Sequence, residues 1–313
     1  MSASLLFDLA LCLLLVGTAI SAVTGRALFA SIAFFITYGI LVALAWLRLD
    51  AVDVALAEAA IGAGLTGVLL IGAWFLLEQR FGATGEAPVP AWSRLGAALA
   101  SGFVSVMLAF AIVGLPADGA GLNEPVREHL AGSGVANPVT AVLLGFRAYD
   151  TLMESVVLLV ALVAVWSLTP DALWGRSPGL AQHARPDGVL ASLGRLLPPL
   201  GILVAVYIVW AGSDMPGGAF QAGTVLAAVW LLAVMAGLAE APRTSSLALR
   251  LSLVVGPAVF LAVGLAGAAF GTFLGFPVEF AKAMIVGIEF ALTFSIAATL
   301  ALLVAGPPRQ AAR

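Results

Sequence analysis

Residues 137–168 read NPVTAVLLGFRAYDTLMESVVLLVALVAVWSL. The stretch is long and apolar enough to cross a bilayer as a helix, because a hydrocarbon core of about 30 Å needs roughly 20 apolar residues. Inside it stand Arg147, Asp150 and Glu154, at i, i+3 and i+7, so a helix carries all three on one face. A charge at mid-bilayer costs about 2.5–3.5 kcal/mol on insertion scales, so three on one apolar segment require partners, water or a functional reason. The segment exceeds what a bilayer needs and is therefore tilted, broken or extended beyond the membrane, with Gly145 a place where it can loosen.

The rest of the chain has the same character. Its 313 residues are 62% hydrophobic and 10% charged, with a mean hydropathy of +1.11, which excludes a soluble globular protein. The apolar runs have helical length and lack the short alternating segments of a barrel, so the fold class is all-α, a polytopic membrane helix bundle. Nine spans are expected, near 4–23, 28–48, 53–77, 96–114, 138–168, 189–212, 219–238, 251–271 and 280–305. The first lacks a basic leader and a small-residue cleavage site and reads as a retained span. Outside the fifth span the cations divide ten to three between the two sides. The excess on the side of Arg26, Arg80 and Arg94 places the N-terminus outside and the C-terminus in the cytoplasm.

Segments 78–94, 115–137 and 169–188 are rich in Gly, Pro or polar residues and divide the spans into three blocks, 1–78, 95–170 and 188–306. The negative findings narrow the chemistry. Cys12 is the single cysteine, and His129 and His183 both fall in loops, so no disulfide, metal or haem site is expected in the membrane. No nucleotide loop or hydrolase elbow is present, and the net charge of -3 does not suit nucleic acid. Neither a cofactor nor enzymatic chemistry is expected.

Three further clusters carry charge or special backbone. In DAVDVALAEAAIGAGL, residues 50–65, Asp50 and Asp53 are helix-start residues, while Glu58 lies about 7.5 Å deeper among small residues that permit burial. The last span holds Glu279, Lys282 and Glu289. Lys282, the one lysine of the chain, is either a relay, since a buried lysine can lose its proton, or an interfacial cation paired with Glu279. Glu289, about 10 Å deeper, does not fit an interfacial role. Between spans six and seven, GSDMPGGAFQAG (212–223) forms a hairpin. Pro216, Gly217 and Gly218 supply its turn and Asp214 caps the turn or the next helix. Phe220 and Gln221 exceed turn chemistry and suit an intersubunit contact. Against every functional reading stands a packing one, in which Arg147 and Asp150 neutralise each other and lock helices together. Glu154 is the better relay, because burial alters a carboxylate's proton affinity.

These blocks resemble components of the Mrp-type multisubunit cation/proton antiporters and of the related membrane-bound hydrogenases. DVALAEAAIGAG looks like the D subunit of the hydrogenases, itself similar to the C-terminal part of the Mrp A subunit. NPVTAVLLGFRAYDTLMES resembles the hydrogenase E subunit, with its R-x-x-D-T-x-x-E pattern. DMPGGAFQAG, with a last helix containing Glu and Lys, is similar to the Mrp B subunit. Val52 and Ala57 depart from the pattern of the hydrogenase D subunit, and Gly212, Ser213 and Ala219 from that of the Mrp B subunit. The resemblance implies a multi-pass component of a bacterial inner-membrane complex that exchanges Na+ for H+ alongside large antiporter-like subunits. Two alternatives remain open: a membrane-arm component of a redox or carbon-handling complex, and a scaffold without an ion path.

Overall fold

Each long apolar run becomes a helix, because a chain in lipid must satisfy its own backbone hydrogen bonds. The computed structural model describes all residues except 1, 26, 83–89, 116–120, 180–184, 186–187, 270 and 309–313, and the side chains of Arg80 and Phe81. His183 and the basic positions Arg26, Arg309 and Arg313 therefore lie outside the described residues.

The first three spans are α1 (Ala3–Thr24), α2 (Leu28–Arg48) and α3, which runs as Val52–Ala57, a π-helical Glu58–Leu65 and Thr66–Phe81. Then come α4 (Ala91–Val113) and the short amphipathic α5 (Asn123–Leu130). The fifth span is broken. A first part, α6 (Pro138–Ala141), continues as π-helical Val142–Phe146, Arg147 leaves helical geometry at φ -130° and ψ 34°, and α7 (Ala148–Ser167) follows. The last four are α8 (Val189–Ala211), α9 (Ala219–Met235), α10 (Leu247–Ala269) and α11 (Val278–Ala305). Among the described residues, eight helices have the length and apolarity to cross a membrane. The shorter α9, at 17 residues about 25 Å long, makes the ninth.

The core is α11, buried over 61% of its most apolar window, whereas no residue of α4 is buried. Ile285, Ile288, Leu292 and Ile296 of α11 pack with Phe260 of α10 and Ala227 of α9. Small residues bring the axes close. Gly223 of α9 lies against Ile296, and Gly256 of α10 against the backbone of Leu292. The hydroxyl of Ser295 is inserted into the ladder of α10, accepting from the Gly256 N–H at 2.7 Å and donating to the Ser252 carbonyl at 2.9 Å, one residue before Pro257. A proline interrupts the same ladder by lacking an N–H, so this turn is open to an outside partner. On the other side α2 packs between α1 and α3, with Gly39 against Ala63, and α3 reaches α9.

The breaks in α3 and in the fifth span are repaired by threonines. Thr66 donates to the Ile61 carbonyl at 2.9 Å and Thr151 to the Leu143 carbonyl at 2.6 Å, each filling an acceptor that a widened turn releases. The loosening expected near Gly145 thus falls at residues 142–147. Loops at the two ends separate into two faces. Asp53, Asn137, the 212–218 hairpin and Lys282 meet at one. At the opposite face Arg176 and Gly175 accept from Thr244 and Ser245, and Pro178 pairs with Pro308.

Candidate functional site

The hairpin is a backbone device before it is a chemical one. The Ile208 carbonyl at the end of α8 accepts from both Gly212 (3.1 Å) and Gly218 (3.2 Å), folding the chain back on itself. Gly218 adopts φ 128°, a conformation that L side chains rarely take. A Cβ on Gly217 would collide with the Ile208 carbonyl, so the Gly-Gly pair is required by space as well as by φ.

The second block clasps this turn. The Ser213 carbonyl accepts from the N–H groups of Ala136 and Asn137, each at 3.0 Å, and Thr140 donates to the Gly212 carbonyl. Asn137 caps α6 through its Oδ1, which accepts from Val139 at 2.8 Å, while its Nδ2 donates to the Met215 carbonyl at 2.9 Å. The first block supplies the anchor. Asp53 Oδ1 accepts from the Gly217 N–H at 3.0 Å and lies 3.4 Å from Asn137 Nδ2. The sequence suggests only a helix-start role for Asp53. It does lie in the first turn of α3, and from there it anchors the hairpin of the third block, beside Asn137 of the second.

Beneath the hairpin lies Glu289, 4% exposed. Its Oε1 lies against Gly218, where an added Cβ would stand 3.1 Å from it, at the start of α9 where the helix dipole favours negative charge. Its Oε2 is buried and has no hydrogen-bond partner among the described residues. The depth expected of Glu289 is thus accompanied by real burial.

Several expectations are corrected. Lys282 does not pair with Glu279, which is exposed in the first turn of α11. Its ammonium binds both oxygens of Asp214, at 2.8 and 2.7 Å, across the mouth of the hairpin. Asp214 therefore does not cap α9, whose N-cap Gly218 has no side-chain bond. The pair is about half exposed, at 53% and 47%, which places it at the rim and not in a buried relay. The Lys282 ammonium holds the Asp214 carboxyl below its ordinary range, with smaller help from Ser213. Phe220 packs on the chain's own core and Gln221 reaches the Asp53 carbonyl at 3.5 Å, so both have partners within the chain. Asp50 sits in a turn at φ 59° and makes no cap on α3.

Arg147 and Asp150 form the expected pair, at 2.6 Å. They are 66% and 54% exposed, and Glu154 is also exposed, because the buried stripe of α7 runs through Ala148, Thr151, Leu152 and Ser155 instead. The charged face of the fifth span thus points away from this chain's core. Glu58 is half-buried at the first π-helical turn of α3, and Gly62 leaves the space its carboxylate fills. Sequence reasoning passed over Asn137 as a site residue, although Asn before Pro at the start of a span is the signature of a capped helix.

Among the described residues, a nine-helix membrane bundle with charged residues at broken helices, and a carboxylate buried beneath a glycine hairpin, make this a multi-pass membrane protein with polar groups placed inside its spans. Residues 13–79 match the MbhD family, described as the D subunit of MBH, and residues 189–306 the domain related to the MnhB subunit of Na+/H+ antiporter. The chain thus carries a part similar to the D subunit of MBH and a part related to the MnhB subunit of Na+/H+ antiporter. Its fold matches a chain of the Mrp complex from Dietzia sp. DQ12-45-1b with a TM-score of 0.71 and 25% identity, over 97% of this chain and 35% of that one. A chain of the membrane-bound sulfane sulfur reductase, an archaeal respiratory membrane complex, shares the fold at a TM-score of 0.54 and 23% identity, over 68% of this chain and 98% of that one. An uncharacterized protein of Methanocaldococcus jannaschii is 31% identical over 130 residues, 37% of this chain and 48% of that protein. The chain thus spans about half of that relative and about a third of the Mrp chain.

Proposed function

We propose that the protein is an accessory component of an Mrp-type complex that exchanges a cation, Na+ being the expected one, for protons across a bacterial inner membrane, with its N-terminus outside and its C-terminus in the cytoplasm. It has no enzymatic chemistry of its own. Glu289 and Glu58 line the ion path on the hairpin side, while Glu154, with the Arg147–Asp150 pair, faces a large antiporter-like partner. Lys282, Asp214 and Glu279 set the charge at the mouth. The observation that carries this reading is Glu289, a carboxylate held 4% exposed inside the most buried helix, where a purely structural bundle would place an apolar residue.

The outward charges fit the same reading. A lipid-facing Arg147, Asp150 and Glu154 would be costly, so a polar partner surface covers them in the assembled complex. The test is to isolate the complex in mild detergent, identify the copurifying proteins, and measure Na+-dependent collapse of a pH gradient in vesicles with and without this chain. Antiporter-like partners and lost exchange on deletion are expected. Full exchange without the chain contradicts the proposal.

A second reading, a membrane-arm component of a redox complex, is favoured by the match of residues 13–79 to the MbhD family. Copurifying nickel-iron, flavin or iron-sulfur proteins would select it. A scaffold role predicts instead that charge-removing substitutions reduce assembly and leave turnover per complex unchanged.

A further inference from the structure

At the face opposite the hairpin, two turns that carry arginine are stapled together, WGRSP (174–178) and PRTSS (242–246). Thr244 donates its N–H and its hydroxyl to the Arg176 carbonyl, both at 3.1 Å, and the Ser245 hydroxyl donates to the Gly175 carbonyl at 3.1 Å. Arg250 Nε in turn donates to the Thr244 carbonyl at 3.1 Å. These bonds fix the backbone of both turns and leave the guanidinium groups of Arg176 and Arg243 over. Both side chains are exposed, and among the described residues neither guanidinium has an ion-pair or hydrogen-bond partner, Asp171 and Glu240 nearby in sequence included. The two arginines line one depression of about 530 Å³, with Trp174, Gly175 and Ser177.

A second cavity begins on the other side of the same turn. It has a volume of about 400 Å³ and lies between α9, α10 and α11, with Leu226, Trp230, Leu249 and Phe294 among its walls. That volume is within the range of about 300–1,000 Å³ typical of ligand sites. Pro242 and Ser246 also line it, and they are next in the chain to Arg243 and Ser245. The 242–246 turn is thus a shared wall, with a cationic depression on one side and a mainly apolar crevice on the other. Phe294 is exposed, so the crevice opens along the outer surface of spanning helices, where acyl chains lie. Trp174 is exposed at the same end of the helices, the level at which tryptophans sit among headgroups.

We propose that this junction binds one anionic phospholipid, with its phosphate between Arg176 and Arg243 and one acyl chain in the crevice between α9, α10 and α11. The chemistry of the two cavities selects that occupant. Each guanidinium presents a fork of N–H donors that matches phosphate oxygens, and two of them without an internal counter-charge favour a headgroup of net negative charge over a zwitterion. A free phosphate would use the arginines and leave the crevice empty, whereas a lipid fills both. The face is the arginine-rich one, with Arg176, Arg195, Arg243 and Arg250, and basic pockets between spanning helices on such a face hold anionic headgroups. A lipid bound there bridges the linker that follows α7 to the last three helices. The proposal stands apart from the ion-exchange reading, since none of the groups it uses belongs to the hairpin side.

The test uses the purified full chain in dodecyl maltoside, stripped of lipid, with bound lipid counted by native mass spectrometry. Dioleoyl phosphatidylglycerol should bind saturably as one copy, roughly tenfold or more tighter than dioleoyl phosphatidylcholine. Arg176→Gln combined with Arg243→Gln changes only exposed side chains and should erase that preference while leaving the phosphatidylcholine affinity as it was. Ala248→Phe, at an exposed position that lines the crevice, should weaken both lipids. Inorganic phosphate in large excess should not displace the phosphatidylglycerol. Equal binding of the two lipids by wild type, an unchanged preference in the double variant, or displacement by inorganic phosphate would overturn the proposal. So would an assembled complex that holds no phospholipid yet loses a subunit when both arginines are replaced, because an acidic partner segment would then be the occupant.

Discussion

Replacing Asp53 by Ala should loosen the hairpin selectively, and the geometry sets by how much. Asp53 Oδ1 holds the Gly217 N–H at 3.0 Å, and Gly217 is buried, so Ala leaves that donor without an acceptor or water. The contact to Asn137 at 3.4 Å counts for little, and Asn137 keeps the Met215 carbonyl at 2.9 Å. The loss is thus one hydrogen bond to a charged acceptor, about 1.5–3 kcal/mol. That corresponds to a roughly 10- to 150-fold higher population of the open hairpin. Hydrogen exchange of the full chain in nanodiscs should show amides 217–223 exchanging faster by that factor, with amides of α1 unchanged. Asp53→Asn retains an acceptor oxygen and should recover most of the protection. Wild-type exchange in Asp53→Ala would refute the assignment of Asp53 as the anchor of the turn.

Three further outcomes rest on the same geometry. The Asp214 carboxyl is held below its ordinary value of 3.8 by Lys282, so this pair stabilises the fold above that pH and the contribution fades as pH falls through the lower folded value. Asp214→Asn should therefore flatten the acid limb below about pH 4, at a neutral-pH cost under about 1 kcal/mol because the pair is exposed, measured by thermal unfolding across pH. Arg147→Met leaves Asp150 unpaired on the outer face and should lower the yield of assembled complex, and Arg147→Met with Asp150→Leu should restore part of it, read by native gel. Gly223→Val places a Cβ 2.7 Å from Ile296 Cγ2 and should destabilise the bundle by about 1–3 kcal/mol, whereas Gly72→Ala, with open space around it, should be near neutral by the same unfolding assay.

The spans were legible because lipid enforces long apolar helices, and the spanning helices begin and end within a few residues of most of the expected runs. The broken geometry was only partly legible. Gly145 pointed to weakness in the fifth span, but the non-helical turn at Arg147 and the threonine that repairs it depend on which carbonyl is left free. Around Glu58 the small residues showed where helices approach, without showing that the turn itself widens. Charge pairing was least legible where partners are distant in sequence. Glu279 stands three residues before Lys282, yet Asp214, brought in by the hairpin, is the partner. Helical periodicity placed Arg147, Asp150 and Glu154 on one face but carried no sign of whether that face looks inward, because the inward stripe itself includes the polar Thr151 and Ser155. Glu289 was recognisable by depth alone, whereas its roof required Asp53 and Asn137, each contributed by a different block.

The central claim is that carboxylates inside these spans serve ion exchange and not merely assembly. Glu58→Gln and Glu154→Gln, each introduced into the assembled complex, should abolish or strongly slow Na+-dependent collapse of a pH gradient in vesicles while subunit composition stays normal. Undiminished collapse with normal composition would contradict the claim.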